Sequence, residues 1–549
     1  MRTDKQTPDW AFQTCREILD NLDGIAESPS LRNEAVFLET LCSRDIQFCV
    51  SVIYSLLIDA ERRKALAAYF TPPHIAQHTL SRLVQCGFDP LQHTILDPAS
   101  GGAAFISPLA RLMVDACIHA KMSLKDALVS VERRLHGIEI DEGLARLCKH
   151  LLLYELREEL RASGSINPNI IVSDALSLPL PVNKFDVIIG NPPYGRTRWN
   201  MIPEHLDCII VDKYVNQYAV FLKLAIDLVR AGGLIGFVIP TSFVGGPYYR
   251  KLREYLLATT EILHIDLIDK RQGLFYDAEQ DICVLILRKN PDDPPQRERG
   301  NGPLVAMVRT DGNSASVEPL GTAVIPLVPC GDEWSVPHGN GATPISPESF
   351  VSLEDYGYRL KVGAFVWNRE KDKLYENLPS QAEPVTGRYP LIWASAIRPD
   401  GTFSFHGRKG PETVDFVAVA LLNSSTIIRH SAVIIQRTSN RMQQRRLNAA
   451  VVPQSLVDRY GGYVCENHVI VIYPGEDNPQ VSQEELRDII NSTCIDNVFR
   501  ALSGTVSVST ATIRKMPFPD PKALKTALHQ TKGSYDEAIR EAFAIKSKG

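Results

Sequence analysis

The densest chemistry in this chain stands at Asn191-Pro192-Pro193-Tyr194, directly after the apolar run Phe185-Asp186-Val187-Ile188-Ile189-Gly190. The Asn side-chain carbonyl and the backbone carbonyl of Pro192, which has no N–H of its own, are two acceptors able to grip both hydrogens of a planar amino group. Holding both hydrogens draws the nitrogen lone pair out of conjugation and makes it a nucleophile. Tyr194 adds a ring face on which a flat substrate can stack. The plainer reading is a strand-terminating turn, because Asn-Pro is a common turn former and a strand that meets two prolines must stop pairing. On either reading these groups sit at a strand end, where an α/β protein places its chemistry.

Three upstream segments share this form. Thr94-Ile95-Leu96-Asp97 runs into the small-residue loop Pro98-Ala99-Ser100-Gly101-Gly102-Ala103-Ala104-Phe105, Leu135 to Asp141 ends in acids, and Asn169 to Asp174 again ends in an acid. Small residues let backbone approach a ligand, and Asp97 can accept from an ammonium group. Glu139, some forty positions on, suits the two hydroxyls of a ribose, and Asp174 the amino group of an adenine ring. Each acid alone reads equally well as a helix cap. Three acid-ended strands followed by the Asn-Pro-Pro-Tyr turn read together as a ligand site. The loop lacks the three spaced glycines of a pyrophosphate turn, so a dinucleotide is not expected.

Ahead of these strands, Tyr69-Phe70-Thr71-Pro72-Pro73 predicts a helix start with Thr71 as N-cap and Pro72 in the first helical position. Such a start gathers free N–H groups able to hold a carboxylate, and alone is no more than a cap. After the central motif a helix is predicted from Asn216 to Arg230, broken by Gly232-Gly233, then strands over 234–239, 262–268 and 282–287. This alternation implies a largely parallel sheet covered on both faces. Phe275, between the last two strands, either covers a stacked base opposite Tyr194 or tucks into the core.

A chain of 549 residues, 44% hydrophobic and 22% charged, has the composition of a soluble protein with two or three domains. The net charge of −5 means that a nucleic-acid partner needs positive charge gathered locally. The 11 cysteines form no Cys-x-x-Cys pair and no zinc-like cluster, which points to a reducing compartment and no metal. No apolar run reaches the roughly 20 residues needed to span a bilayer, and the polar start is no signal peptide, so a cytoplasmic location without membrane contact is expected.

Residues 1–65 read as a helical segment with a packing role, 66–290 as a catalytic domain, 291–303 as a breaker-rich linker and 304–549 as a separate domain. From Phe416 to Val457 there is no Asp or Glu, while Arg429, Arg437, Arg441, Arg445 and Arg446 gather beside Gln and Asn. Arg grips phosphate and reads guanine, and Gln or Asn pairs with adenine. A solvated surface run is the plainer alternative. Arg196, Arg198 and Lys213 flank the central motif and are placed to hold a target strand.

In this order the motifs resemble the amino-group DNA methyltransferases of the gamma group, which use S-adenosylmethionine. The resemblance covers about residues 65–290 and implies a Rossmann-like seven-stranded sheet with a reversed final strand. It also implies a helical N-terminal segment and a separate mixed α+β target-recognition domain. The implied activity is methylation of adenine N6 on a base extruded from double-stranded DNA, because Asn in the first motif position goes with adenine and Ser with cytosine. The implied setting is the modification arm of a restriction-modification system, with a separate cognate endonuclease as a further partner. Carried over by position, Thr71 meets the cofactor carboxylate, Asp97 with Ala99 to Gly101 its amino acid moiety, and Phe105 packs below it. Glu139 holds the ribose, Ile140 the adenine face and Asp174 its amino group. Asn191 and Pro192 accept from the target amine, Pro193 completes the turn, Tyr194 stacks on the base and Phe275 opposes it. Ala103 departs from the family's second loop glycine, and its methyl is expected to crowd the cofactor. The alternatives are a methyltransferase for a protein glutamine or an RNA base, and a DNA-recognition subunit without catalysis.

Overall fold

The computed structural model describes residues 8–22, 41–59, 61–62, 70–209, 214–269, 281–291, 302–311, 314–326, 332, 334, 336–337, 351–369, 371–376, 387–409, 413–418, 425–438, 445–475, 479–502, 508–531 and 534–546. Two compact units divide the chain, Met1–Trp334 and Ser335–Gly549. No helix among the described residues is long and apolar enough to cross a membrane.

The first unit is built on a nine-stranded sheet. Its strands are β1 (Ile95–Asp97), β2 (Leu135–Glu139), β3 (Asn169–Val172), β4 (Phe185–Gly190), β7 (Val229–Pro240), β8 (Thr260–Ile268), β9 (Ile282–Lys289), β10 (Leu304–Asp311) and β11 (Ser314–Thr322). A separate two-stranded ribbon pairs β5 (Arg196–Arg198) with β6 (Tyr214–Asn216). The large sheet runs β11-β10-β8-β9-β7-β4-β1-β2-β3. β1, β2, β3, β4 and β7 are mutually parallel neighbours, and β9 runs antiparallel to both β7 and β8. The seven expected strands with one reversed are therefore present. β1 and β4 are buried along nearly their whole length, as a sheet covered on both faces requires.

The strand order reverses at β1, which lies between β2 and β4, and a crevice must open there beyond the carboxyl ends. β1, β2 and β4 deliver Asp97, Glu139 and Asn191 to that crevice. Helix Pro73–Gln85 packs on β7, with Leu83 close enough to Gly236 that a Cβ there would meet it at 3.0 Å. The buried Asp266 of β8 pins the same helix through His78 Nε2 and Arg82 Nε, both at 2.6 Å.

The structure changes three sequence expectations. The domain boundary at 303/304 falls inside the first unit, because β10 pairs in parallel with β8 and β11 with β10; otherwise β8 would present an open edge. Gly232-Gly233 do not separate helix from strand: the helix is Gln217–Leu228 and β7 begins at Val229. The register against β4 shifts there, with Gly232 at φ +74 and Gly233 so close to Asp186 that a Cβ there would meet its carbonyl oxygen at 2.8 Å. Third, the early helix starts at Pro73 with Pro72 as its N-cap. A residue before proline is pushed out of the helical region, and Pro72 sits at ψ 145.

Among its described residues the second unit holds two four-stranded sheets and five C-terminal helices, a mixed α+β body. Val433, Ile435, Ile470 and Ile472 pack against Leu486, Ile489 and Ile490 of helix Gln483–Asn491.

Candidate active site

A cavity of about 300 Å3 opens at the switch point and gathers Thr71, Asp97, Ala99, Gly101, Phe105, Glu139, Ile140, Asp174, Asn191 and Pro193. These ten come from segments over 100 residues apart in the chain, so the sheet alone brings them together.

The two acids at its floor are buried, Asp97 at 1% exposure and Glu139 at 7%. Asp97 accepts from Ala99 N at 3.1 Å, and Gly190 lies so close that a Cβ there would meet Asp97 Oδ1 at 2.8 Å. Burial pushes its carboxyl up to about 8, against the pull of the Ala99 N–H and with a push from Glu139. Glu139 accepts from Gly101 N at 2.9 Å and from Asp141 N at 3.0 Å. Burial lifts it to about 7 despite those N–H groups. Buried carboxyls held above the usual range mark a candidate functional site. Helix Glu142–Glu155 is capped by Asp141, through Leu144 N at 2.9 Å, and not by Glu139.

Asp174 does both jobs: it lines the cavity and accepts from Leu176 N and Ser177 Oγ, each at 3.0 Å. Ile140 is a large apolar residue 59% exposed on the cavity wall, an unpacked surface that suits a flat aromatic ligand. Gly101 has φ +50, which its lack of a Cβ permits. Thr71, 3% exposed, lines the cavity one residue ahead of the cap. Phe105 is buried beneath.

Ala103 is buried, lines an adjoining cavity of about 410 Å3 and carries backbone strain, at φ +62.

At the mouth, Tyr194 Oη donates to Asn191 Oδ1 at 2.5 Å and lies 3.1 Å from Val238 O. The hydroxyl thereby orients the Asn191 side chain. Tyr194 is only 4% exposed and Pro192 is buried, and neither lines the cavity. A base stacking on Tyr194 must displace what covers the ring. Phe275, Lys213 and Arg441 lie outside the described residues.

Thr197, Met201, Gln217 and Phe221 also line it, and none of the four is marked by a site motif in the sequence. A signal for Thr197 existed: it alternates with Arg196 and Arg198, and in β5 it turns inward while both arginines are exposed.

The basic stretch of the second unit divides differently. Arg446 is 2% exposed. Arg445 donates to the carbonyls of Asn491 and Pro399, and Arg437 to that of Asn467 at 3.2 Å. These bonds stitch loops together; Arg429 is exposed but likewise donates to the carbonyl of Gly461 at 2.9 Å.

Sheet order and cavity define the class as a methyltransferase-type α/β domain with the Asn191–Tyr194 turn at its switch point. Residues 49–302 match the N-6 DNA Methylase family. Over 485 residues the chain is 26% identical to the type II methyltransferase M.BsuBI of Bacillus subtilis, spanning 84% of this chain and 88% of that one. It is 22% identical to M.PstI of Providencia stuartii, over 63% and 67% respectively. Among solved structures, the type IIL restriction-modification enzyme MmeI, in complex with DNA, superposes with a TM-score of 0.51 at 13% identity, covering 91% of this chain and 76% of that one. Over residues 49–302 the chain is thus similar to the N-6 DNA methylases, with a motif order that resembles the gamma class.

Proposed function

We propose that the chain transfers a methyl group from S-adenosylmethionine to N6 of an adenine extruded from double-stranded DNA, as the modification enzyme of a restriction-modification system. The observation that carries this reading is the convergence of Asp97, Glu139, Ile140 and Asn191 on one cavity. An acid for an ammonium, an acid for a diol, an apolar wall for a purine and an amide acceptor match the donor set of that pair of ligands.

Bound S-adenosylmethionine supplies a methyl group on a sulfonium centre that leaves as a neutral thioether. Asp97 would hold its ammonium, Thr71 its carboxylate, Glu139 its ribose hydroxyls, and Ile140 and Asp174 its adenine. Asn191 Oδ1 and Pro192 O would each take one hydrogen of the target amine, turning the N6 lone pair toward the methyl carbon. The N6–C bond would form as the S–C bond breaks, and the surplus N6 proton would pass to solvent. Tyr194 orients Asn191, and Arg196 and Arg198 would take phosphates beside the extruded nucleotide. A cognate endonuclease would be a separate chain.

The test is incubation of the chain with labelled S-adenosylmethionine and mixed genomic DNA, followed by nucleoside analysis. Label in N6-methyladenine is expected. Label in N4-methylcytosine would overturn the base assignment, and label only in protein or RNA the substrate.

A further inference from the structure

The first 65 residues offer no recognisable chemistry, yet helix Ser43–Leu57 lies against the cofactor loop. Ser51 is 1% exposed, and its Oγ stands 3.1 Å from Gly102 O and 2.8 Å from Gln47 O, sharing one proton between them. One turn further on, the fully buried Tyr54 donates to Asp141 Oδ1 at 2.6 Å. Arg62 grips the other oxygen of Asp141, with Nε at 2.8 Å and Nη2 at 2.6 Å. Burial and the Asp141 carboxylate hold the Tyr54 hydroxyl far above its ordinary pKa, so it stays a donor.

Asp141 matters because of what it touches in turn. Its N–H donates to Glu139 Oε1, its Oδ1 caps helix Glu142–Glu155, and Ile140 stands between the two acids with most of its side chain in the open. Glu139 is tied into the sheet, its carbonyl accepting from Ser173 N at 3.0 Å, and its carboxylate accepts from Gly101 N. Asp141 is held by the helix it caps and by the two side chains reaching across from the N-terminal segment.

We infer that Tyr54 and Arg62 are positioning residues for cofactor binding, holding Asp141 so that Glu139 and Ile140 meet the ribose and purine. This rests on the cavity being the S-adenosylmethionine site. The clamp acts on affinity and not on the methyl transfer step, since neither residue lines the cavity.

The experiment measures S-adenosylmethionine binding by calorimetry, with steady-state kinetics on DNA, for the full-length wild type, Tyr54→Phe, Arg62→Gln and Arg62→Lys. Loss of one buried hydrogen bond to a charged group predicts a Kd about tenfold higher for Tyr54→Phe, with a parallel rise in KM for S-adenosylmethionine. At saturation kcat should stay within about twofold, and KM for DNA should not move. Arg62→Gln, at a side chain 40% exposed, should fold normally and show the same split, and Arg62→Lys should restore part of the affinity. A wild-type Kd in Tyr54→Phe or Arg62→Gln would overturn the inference. So would equal losses in kcat and in KM for DNA, which mark a general structural defect. A wild type that binds no S-adenosylmethionine would overturn the cofactor reading and this inference with it.

Discussion

Gly102→Ala is the most demanding perturbation of the cofactor loop. Gly102 is not in a left-handed conformation, so its need for glycine comes from its neighbours. A Cβ built there lies 2.2 Å from Ser51 Oγ, 2.5 Å from Ser51 Cβ and 3.2 Å from Phe70 Cδ1. Rotating the Ser51 side chain clears the oxygen but not the Cβ, which is fixed to its helix. Ordinary carbon contacts lie near 3.5–4.0 Å, so helix Ser43–Leu57 must retreat by roughly 1 Å. Overpacking of this kind costs about 1–3 kcal/mol, and breaking the Ser51 bond to Gly102 O adds about 1 kcal/mol. A loss of about 2–4 kcal/mol is expected in urea unfolding, together with weaker S-adenosylmethionine binding as Asp141 loses its clamp. Ser51→Gly removes both clashing atoms, so the double variant should recover about 1–2 kcal/mol relative to the sum of the singles. Stability of Gly102→Ala within about 0.5 kcal/mol of wild type, or strict additivity in the double variant, would refute the reasoning.

Two further outcomes follow from the same geometry. Asp97 and Glu139 have folded-state pKa values above the unfolded ones, about 8 and about 7, so the stability linked to their protons is fully present below the unfolded carboxylate range and lost as pH rises through 7 to 8. Binding an ammonium requires Asp97 ionised, so below pH 8 the proton must be expelled and affinity for S-adenosylmethionine should climb by up to about tenfold per pH unit from 6 to 7; calorimetry in buffers of different ionisation enthalpy should register proton release, and a flat profile would remove Asp97 from that role. Replacing Arg196 and Arg198 together by Ala should lower the slope of log DNA affinity against log salt by about 2, near 0.9 per lost phosphate contact, with cofactor affinity unchanged; an unaltered slope would take β5 out of the DNA contact.

Much of the site was legible because its chemistry sits at strand ends, where short runs of apolar residues and their terminal acids are contiguous in sequence. Asp97, Glu139 and Asn191 needed only the order of the strands to be brought together. The clamp by Tyr54 and Arg62 was invisible because its partner, Asp141, lies about 80 residues away and no local pattern marks the pairing. The start at Pro73 was readable in principle, since the constraint of one proline on the residue before it is local. In the basic stretch, composition counts arginines but does not say which carbonyls they face. Arg445 and Arg446 are bound into the fold of their own unit, whereas Arg196 and Arg198 are exposed on the ribbon that follows Asn191. The β10–β11 hairpin follows a breaker-rich segment that reads as a domain boundary, and only the open edge of β8 explains why it returns to the first sheet.

The measurement that goes most directly to the mechanism is single-turnover methyl transfer to DNA by Asn191→Ala beside the wild type, with S-adenosylmethionine affinity measured on the same samples. If Asn191 acts on the target amine, transfer falls by roughly a hundredfold to a thousandfold or more, the range for losing one charge-stabilising contact, while cofactor Kd stays within about twofold. Transfer at the wild-type rate, or a loss explained by cofactor release alone, would contradict it.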